Sequence, residues 1–486
     1  MQFKILLTLI LAHTTLSAQV VQGIVKDKSG NPIEITTVMI KSTQNHVHTD
    51  ENGKYAISEA KAGDTLVIQQ MFYETKELML TSENMEQTII TTLDQKPFEL
   101  SHVVITPNIN ALKTLSQIDL QTKPVNSSQE LLRQVPGLFI GQHAGGGKAE
   151  QIFLRGFDID HGTDVLINVD GIPINMVSHA HGQGYADMHF IMPEIIENIT
   201  YNKGPYDVDK GNFATAGYVA FKTKDHVKES ILSTEIGSFN TKRITGLFSI
   251  MDKTNESAYF ASEYLLSDGP FEATQAFQRF NIFAKYTKTL ENNDKFSIWT
   301  SRFTSRWDAS GQIPQRAVAS GQISRFGAID NTEGGQTSRS NLHLNYTKYM
   351  SNDAYLKTNA YISSYYFQLF SNFTFFLMDS IHGDQIKQKE KRNTYGANTE
   401  FHFKLSKSAS DLRFRLGVGL RYDDINDVEL FNTLQRKSTL QNLALGDIDE
   451  SNLFSYGDVT FENGPIQITT GIRADYFNFV YQDKLP

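Results

Sequence analysis

His143, His161, His179, His181 and His189 fall within one short span, interleaved with Asp158, Asp160, Asp164 and Asp187. Imidazole and carboxylate together suit zinc, nickel, copper or iron. In an extended segment His179 and His181 leave the backbone on the same side, because side-chain direction alternates along a strand. The candidate ligands or cargo contacts are therefore His161, His179, His181, His189 and Asp187, with His179 and His181 the pair best spaced for a metal. The competing reading is a Gly-rich loop, SHAHGQGYAD, whose histidines hydrogen-bond locally. Hydrolysis is a poor fit. A catalytic zinc site needs three fixed ligands, an open position and a general base, and neither HExxH nor a related motif occurs. The chain has no cysteine, which removes disulfides, thiolate catalysis and Cys-ligated metals. Gly145-Gly146-Gly147-Lys148 lacks the spacing and the hydroxyl of a phosphate loop and reads as a turn. No catalytic constellation and no resident cofactor are expected.

These residues must be positioned by the stretch from Gln129 to Lys224. Short apolar runs (Ile152–Leu154, Val165–Val169, Ile195–Thr200, Tyr218–Lys222) alternate there with turns rich in Gly, Asp and Pro, which predicts a compact small sheet with few helices. Ser128–Val135 reads as a short helix ended by Pro136-Gly137, and Asp170-Gly171 as a hairpin turn. Five motifs follow in order: Leu154-Arg155-Gly156, Val169-Asp170-Gly171-Ile172-Pro173, Pro193-Glu194-Ile195-Ile196-Glu197-Asn198-Ile199, Lys203-Gly204-Pro205, and Gly211-Asn212 through Gly217. In that order they resemble the plug domain of TonB-dependent outer-membrane receptors. The resemblance implies that SHAHGQGYAD can face an extracellular vestibule.

Upstream, residues 1–18 read as a secretory signal, with Lys4, an apolar core over Ile5–Ala12 and a cleavage site at Leu16-Ser17-Ala18. Residues 19–95 read as a small β-sandwich with turns at Ser29-Gly30-Asn31-Pro32, Asp50-Glu51-Asn52-Gly53 and Ala62-Gly63-Asp64. The pattern GIVKDKSGNPI, TDENGKYAI, GDTLVIQQMFYET is similar to the carboxypeptidase-regulatory-like domain, without any peptidase arrangement. His46 and His48 are expected as a solvated pair in a turn beside Asp50. In the linker 96–108, Val103, Val104, Ile105 and Thr106 form one apolar strand closed by Pro107. The segment resembles the TonB box, which an energy-coupling protein would grip by β-augmentation, although an ordinary interdomain strand would read the same way.

Beyond the plug at 109–225, residues 226–486 change texture. Leu412, Phe414, Leu416, Val418, Leu420 and Tyr422 share one face, while Arg413, Arg415, Gly417, Gly419 and Arg421 share the other. Ile466–Tyr476 repeats the pattern. With no long apolar run after the N-terminus, the membrane reading is an antiparallel barrel of segments about ten residues long. Trp307–Arg339 and Phe370–Lys391 read as long polar loops. About eleven strands are expected, against about 22 in plugged transporters, so the chain is expected to be the N-terminal part of a longer protein. The expected fold class is mostly β: a small β-sandwich, then an α+β plug, then a partial antiparallel transmembrane β-barrel.

The resemblance implies a receptor of the outer membrane that imports a scarce nutrient, with the TonB complex, outer-membrane lipid and a small-molecule or metal-chelate cargo as partners. The net charge of −9 speaks against nucleic acid. A surface receptor that signals without import, and less readily a periplasmic metal hydrolase, are the alternatives.

Overall fold

The computed structural model describes residues 20–70, 73–94, 114–115, 125, 127–142, 146–159, 162–291, 293–407 and 410–485. The signal segment, Val103–Thr106, His143 and His161 lie outside them. The chain divides into two compact units, residues 1–98 and 99–486.

The first unit is built from two small sheets. One has the order β4-β1-β7, with β1 (Val21–Asp27), β4 (Lys54–Ile57) and β7 (Ile89–Leu93); the other has the order β3-β2-β5-β6, with β2 (Thr37–Ile40), β3 (His46–His48), β5 (Thr65–Gln69) and β6 (Lys76–Met79). Val21, Val25, Val38, Ile40, Ile57, Leu66 and Ile68 are fully buried in its core. The histidine pair corrects the expectation of a turn. His46–His48 is a strand paired with β2, because Thr37 and Met39 offer it a ladder, and the two rings meet edge to face at 5.7 Å.

In the second unit, β9 (Leu138–Gly141), β10 (Gln151–Leu154) and β11 (Phe157–Ile159) form one sheet. A second runs β13-β12-β15-β14-β8, from β8 (Thr114–Leu115), β12 (Val165–Val169), β13 (Ile172–Pro173), β14 (Ile196–Lys203) and β15 (Gly217–Thr223). Arg155-Gly156 and Asp170-Gly171 both have positive φ at each residue, the conformation of a two-residue hairpin turn that matches strand twist. The expected helix is a 3-10 turn at Gln129–Gln134. Leu131, Leu132, Ile140, Ile152, Ile167, Ile199 and Val219 build one core with wall residues Tyr259, Phe283, Trp299 and Phe303.

That wall is a single antiparallel sheet of eleven strands in sequence order: β16 (Ile231–Gly237), β17 (Thr241–Lys253), β18 (Glu256–Ser267), β19 (Phe277–Thr289), β20 (Lys295–Ala309), β21 (Glu333–Ser351), β22 (Ala354–Ser371), β23 (Ile386–Lys407), β24 (Ser410–Leu434), β25 (Ser438–Asn463) and β26 (Ile466–Asp483). Two-residue turns at 254–255, 352–353 and 464–465 mark one end. Longer loops at 268–276, 310–332 and 372–385 mark the other, where α1 (Gln315–Ala319) sits.

The expected strand length is wrong. β25 has 26 residues, about 85 Å at about 3.3 Å per residue, and outruns an apolar band of about 25 Å at any usual tilt. The strands continue into water because ion pairs replace lipid contact there. Lys387 and Lys389 bridge to Glu429, and Lys391 to Asp427 at 3.0 Å. The long loops are correspondingly shorter than expected.

One carboxyl beside the plug core titrates unusually. Glu150 is buried, and burial, only partly offset by His189 and Arg133, pushes its pKa up to about 7. A raised folded-state pKa gives stability that is complete below the unfolded value and is lost as pH rises through the folded one. Thermal unfolding in detergent should show the plug losing about 3 kcal/mol between pH 4.5 and pH 8. Glu150→Gln should flatten that slope, and an unchanged slope would refute the assignment.

Candidate functional site

The histidine-bearing segment is an apical loop of the plug. Met176 and Tyr185 close its base through Met176 N–H to the Tyr185 carbonyl (3.1 Å), and Gly184 N–H reaches the Val177 carbonyl (3.4 Å). Its tip is clamped to the wall. Ser178 N–H donates to Glu450 (3.1 Å), Ala180 N–H to Glu390 (2.7 Å), and the Gln388 amide to the Ala180 carbonyl (2.7 Å). His181 Nδ1 lies 2.9 Å from Gln388 Oε1. Arg392 donates to the Ser178 carbonyl and also pairs with Glu390 (3.0 Å), Asp423 (3.0 Å) and Glu450 (3.3 Å). Arg421 completes the clamp, donating to the Asn175 carbonyl (2.9 Å) and pairing with Asp423 (2.6 Å).

Local sequence explains the clamp. In the run KQKEKR at 387–392, strand alternation sends Gln388, Glu390 and Arg392 to the plug side. Lys387, Lys389 and Lys391 pair on the opposite side with Glu429 and Asp427. These wall residues were not anticipated from sequence. The available signal was a run of charged residues from Lys387 to Arg392 interrupted by Gln388 alone.

The histidines do not converge. The His179 ring stacks on Tyr185 at 4.1 Å and 5° and meets Phe367 at 4.6 Å, with Nε2 3.9 Å from Glu390. His189 is buried elsewhere, against the wall. Its Nδ1 lies 2.9 Å from Asp187, its Nε2 3.0 Å from the Gly146 carbonyl, and the Gln129 amide 2.9 Å from the ring. Asn281 of β19 donates to the His189 carbonyl (3.0 Å). Burial alone would raise the Asp187 pKa, but the hydrogen bonds and charge of His189, with Arg339 beyond, hold it below the usual carboxylate range. Among the described residues no group of three or more His, Cys, Asp or Glu is placed to hold a metal ion. Gly147 has a steric role: a Cβ there would lie 2.1 Å from the Trp307 ring.

The rest of the plug is bolted down by separate charge pairs. Asp170 receives Thr223 N–H (3.0 Å) and Thr223 Oγ1 (2.5 Å), with Lys285 at 3.8 Å, while Asn359 donates to its carbonyl (2.7 Å). Asp225, where the plug joins β16, lies 2.8 Å from both Lys285 and Lys295. Against the cost of burial, those lysines and Lys222 hold its pKa far below the usual range. Glu194 pairs with Arg243 (2.7 Å) and Asp209 with Arg415 (3.1 Å).

Comparison with known proteins agrees with this architecture. The TonB-dependent Receptor Plug Domain family matches residues 108–218, and the CarboxypepD_reg-like domain matches residues 21–105. The vitamin B12 transporter of Vibrio vulnificus is 26% identical over 225 residues, covering 43% of this chain and 34% of the relative. The unliganded ferric citrate transporter FecA superposes with a TM-score of 0.65 at 12% identity, over 76% of this chain and 56% of that one. Pseudomonas aeruginosa FpvA, bound to an iron pyoverdine, gives 0.61 at 12%, over 77% and 52%. The copper transporter OprC gives 0.55 at 15%, over 75% and 55%. The chain thus spans about a third of the curated relative and a little over half of these solved receptors. With its regulatory-like domain, its TonB-dependent receptor plug domain and its antiparallel wall of strands, the chain has the make-up of the TonB-dependent outer-membrane receptors.

Proposed function

We propose that the protein imports a scarce small molecule or metal chelate across the outer membrane, driven by the TonB energy-coupling complex. The observation that carries this reading is the clamp on the 178–181 loop. A plug whose apex is tied to the lumen wall by Gln388, Glu390, Arg392 and Glu450 is a closed gate, and passage requires those bonds to exchange. The long-loop end and the plug apex form the cargo side. His181, half-buried beside Gln388, is the cargo-contacting histidine of this reading. His179 packs behind it on Tyr185 and Phe367, while His189 and Asp187 pair elsewhere in the plug.

Work enters from the other end. Val103–Thr106 lies ahead of β8, and β8 is the edge strand of the plug sheet, paired to β14 through Leu115 with Ile199 and Thr114 with Thr200. A pull on an extended segment bound by β-augmentation is transmitted to β14 through that short ladder. No bond in the cargo needs to be made or broken.

Two measurements test this. Ile105→Pro removes a backbone donor from the gripped segment. Energised uptake by whole cells should fall to background while cargo binding at the cell surface is retained, and undiminished uptake would sink the coupling role. Arg392→Ala leaves Glu390 and Glu450 buried without their cation and Asp423 with Arg421 alone, a change worth about 3–5 kcal/mol locally. Hydrogen exchange at 176–185 should accelerate by a hundredfold or more while β19 and β20 stay protected. Unchanged protection of that loop would show that the clamp does not hold the plug apex.

A further inference from the structure

β3 (His46–His48) is the edge strand of its sheet, in the order β3-β2-β5-β6, and it pairs with β2. That sheet has a core side and an outer side. Val38 and Ile40 of β2 are fully buried in the core of the first unit, and Val47 of β3 packs against it. Alternation along each strand therefore sends Thr37, Met39, His46 and His48 to the outer side. Pairing sets Met39 directly opposite His46, and Thr37 opposite His48. Met39 and His46 are half-buried there and His48 is exposed. Nothing in the plug or the wall draws on these side chains.

Their arrangement suits a shared ion. Two imidazoles bound to one ion at about 2.0–2.1 Å hold their ring centres between about 4.5 Å, in adjacent positions, and about 6.4 Å, in opposite ones. The His46 and His48 rings stand 5.7 Å apart, edge to face at 76°. Each ring meets a protein oxygen through the same nitrogen. His48 Nδ1 lies 3.3 Å from Thr37 Oγ1, and His46 Nδ1 lies 3.4 Å from the Gln44 carbonyl. A histidine that donates Nδ1–H to a protein oxygen offers Nε2 to a metal, which is how ligating histidines are commonly oriented. Met39 supplies a third donor. Directly opposed residues have Cβ atoms about 4.5–5.5 Å apart, and an unbranched thioether on flexible bonds spans that gap. Asp50 is committed to its turn, where it accepts Asn52 N–H (2.9 Å) and Lys54 N–H (2.8 Å). Among the described residues no third His, Cys, Asp or Glu joins the pair in a metal-holding group, so the sulfur decides the chemistry.

We propose that Met39, His46 and His48 form a copper site on the regulatory-like domain. Imidazole alone suits zinc, copper, iron and nickel, whereas a soft thioether selects Cu(I). An ion held by His46 and Met39 also ties the edge strand to β2, so copper stabilises this sheet by binding the folded form alone. The site concerns an ion resident on the first unit and does not depend on the import reading.

Competition against bicinchoninate under ascorbate tests it, with the whole receptor in detergent micelles and free of any affinity tag. One equivalent of Cu(I) should bind, about a hundredfold or more tighter than Zn(II). His46→Ala, His48→Ala and Met39→Leu should each weaken Cu(I) about tenfold or more, while Met39→Leu leaves Zn(II) unchanged. His226→Ala, at a histidine of the second unit that pairs with Asp252, should change nothing. X-ray absorption at the copper edge should show sulfur together with imidazole nitrogen. Hydrogen exchange of β2 and β5 without copper should match the parent chain in every variant. His48→Gln, which can keep a bond to Thr37, should lose copper as His48→Ala does. Zinc held as tightly as copper, a copper spectrum without sulfur, or copper binding that ignores any one of the three substitutions overturns the site.

Discussion

Inside a bilayer every backbone N–H and C=O must find a partner within the protein, because hydrocarbon offers none. The rest of this structure follows from that constraint. It makes the wall an unbroken antiparallel ladder from β16 to β26, and the two-residue alternation of a strand then sorts side chains without further instruction. Leu416, Val418 and Leu420 go outward, and Arg415, Arg421 and Asp423 go inward. A wall that is apolar outside is therefore charged inside, and the plug has to meet those charges. It does so with Asp170, Glu194, Asp209 and Asp225, and with backbone groups of its apical loop.

Charge pairs of this kind contribute little net stability, since desolvation offsets most of the attraction, while removing one partner is costly. Such pairs therefore fix position more than they add stability. Each pair fixes position: Asp225 between Lys285 and Lys295 sets where the plug joins β16, and Arg392 among Glu390, Asp423 and Glu450 sets where the apex rests. A purely apolar junction would slide or would release only by exposing oil to water. A charged one can exchange partners with an incoming polar ligand or with water.

What was legible in the sequence was local. Strand alternation in Leu412–Tyr422 and Ile466–Tyr476, the Asp170-Gly171 turn and the ordered plug motifs all depend on neighbours a few residues away, and the elements lie where those signals put them. What was not legible was pairing across the fold. The histidines between 143 and 189 are close in sequence, yet His179 stacks on Tyr185 and Phe367 while His189 packs against Asp187 under β19. Nothing local announces that Gln388, Glu390 and Arg392, some two hundred residues downstream of the loop, are its partners. Strand length was misjudged for a related reason. The alternation was read as stopping where lipid stops, but cross-strand pairs of Lys387 and Lys389 with Glu429 and of Lys391 with Asp427 tie β23 to β24 well past it.

The two ends of the second unit divide the work. At the base, β8 pairs with β14 by a ladder only two residues long, and Lys285 lies 2.8 Å from Asp225 and 3.8 Å from Asp170. At the apex, the loop is held by the backbone N–H groups of Ser178 and Ala180 donating to carboxylates and by Gln388, Arg392 and Arg421 donating to loop carbonyls. Gly146 and Gly147 let this upper surface sit directly under Phe277 and Trp307, since a Cβ on Gly147 would overlap the indole.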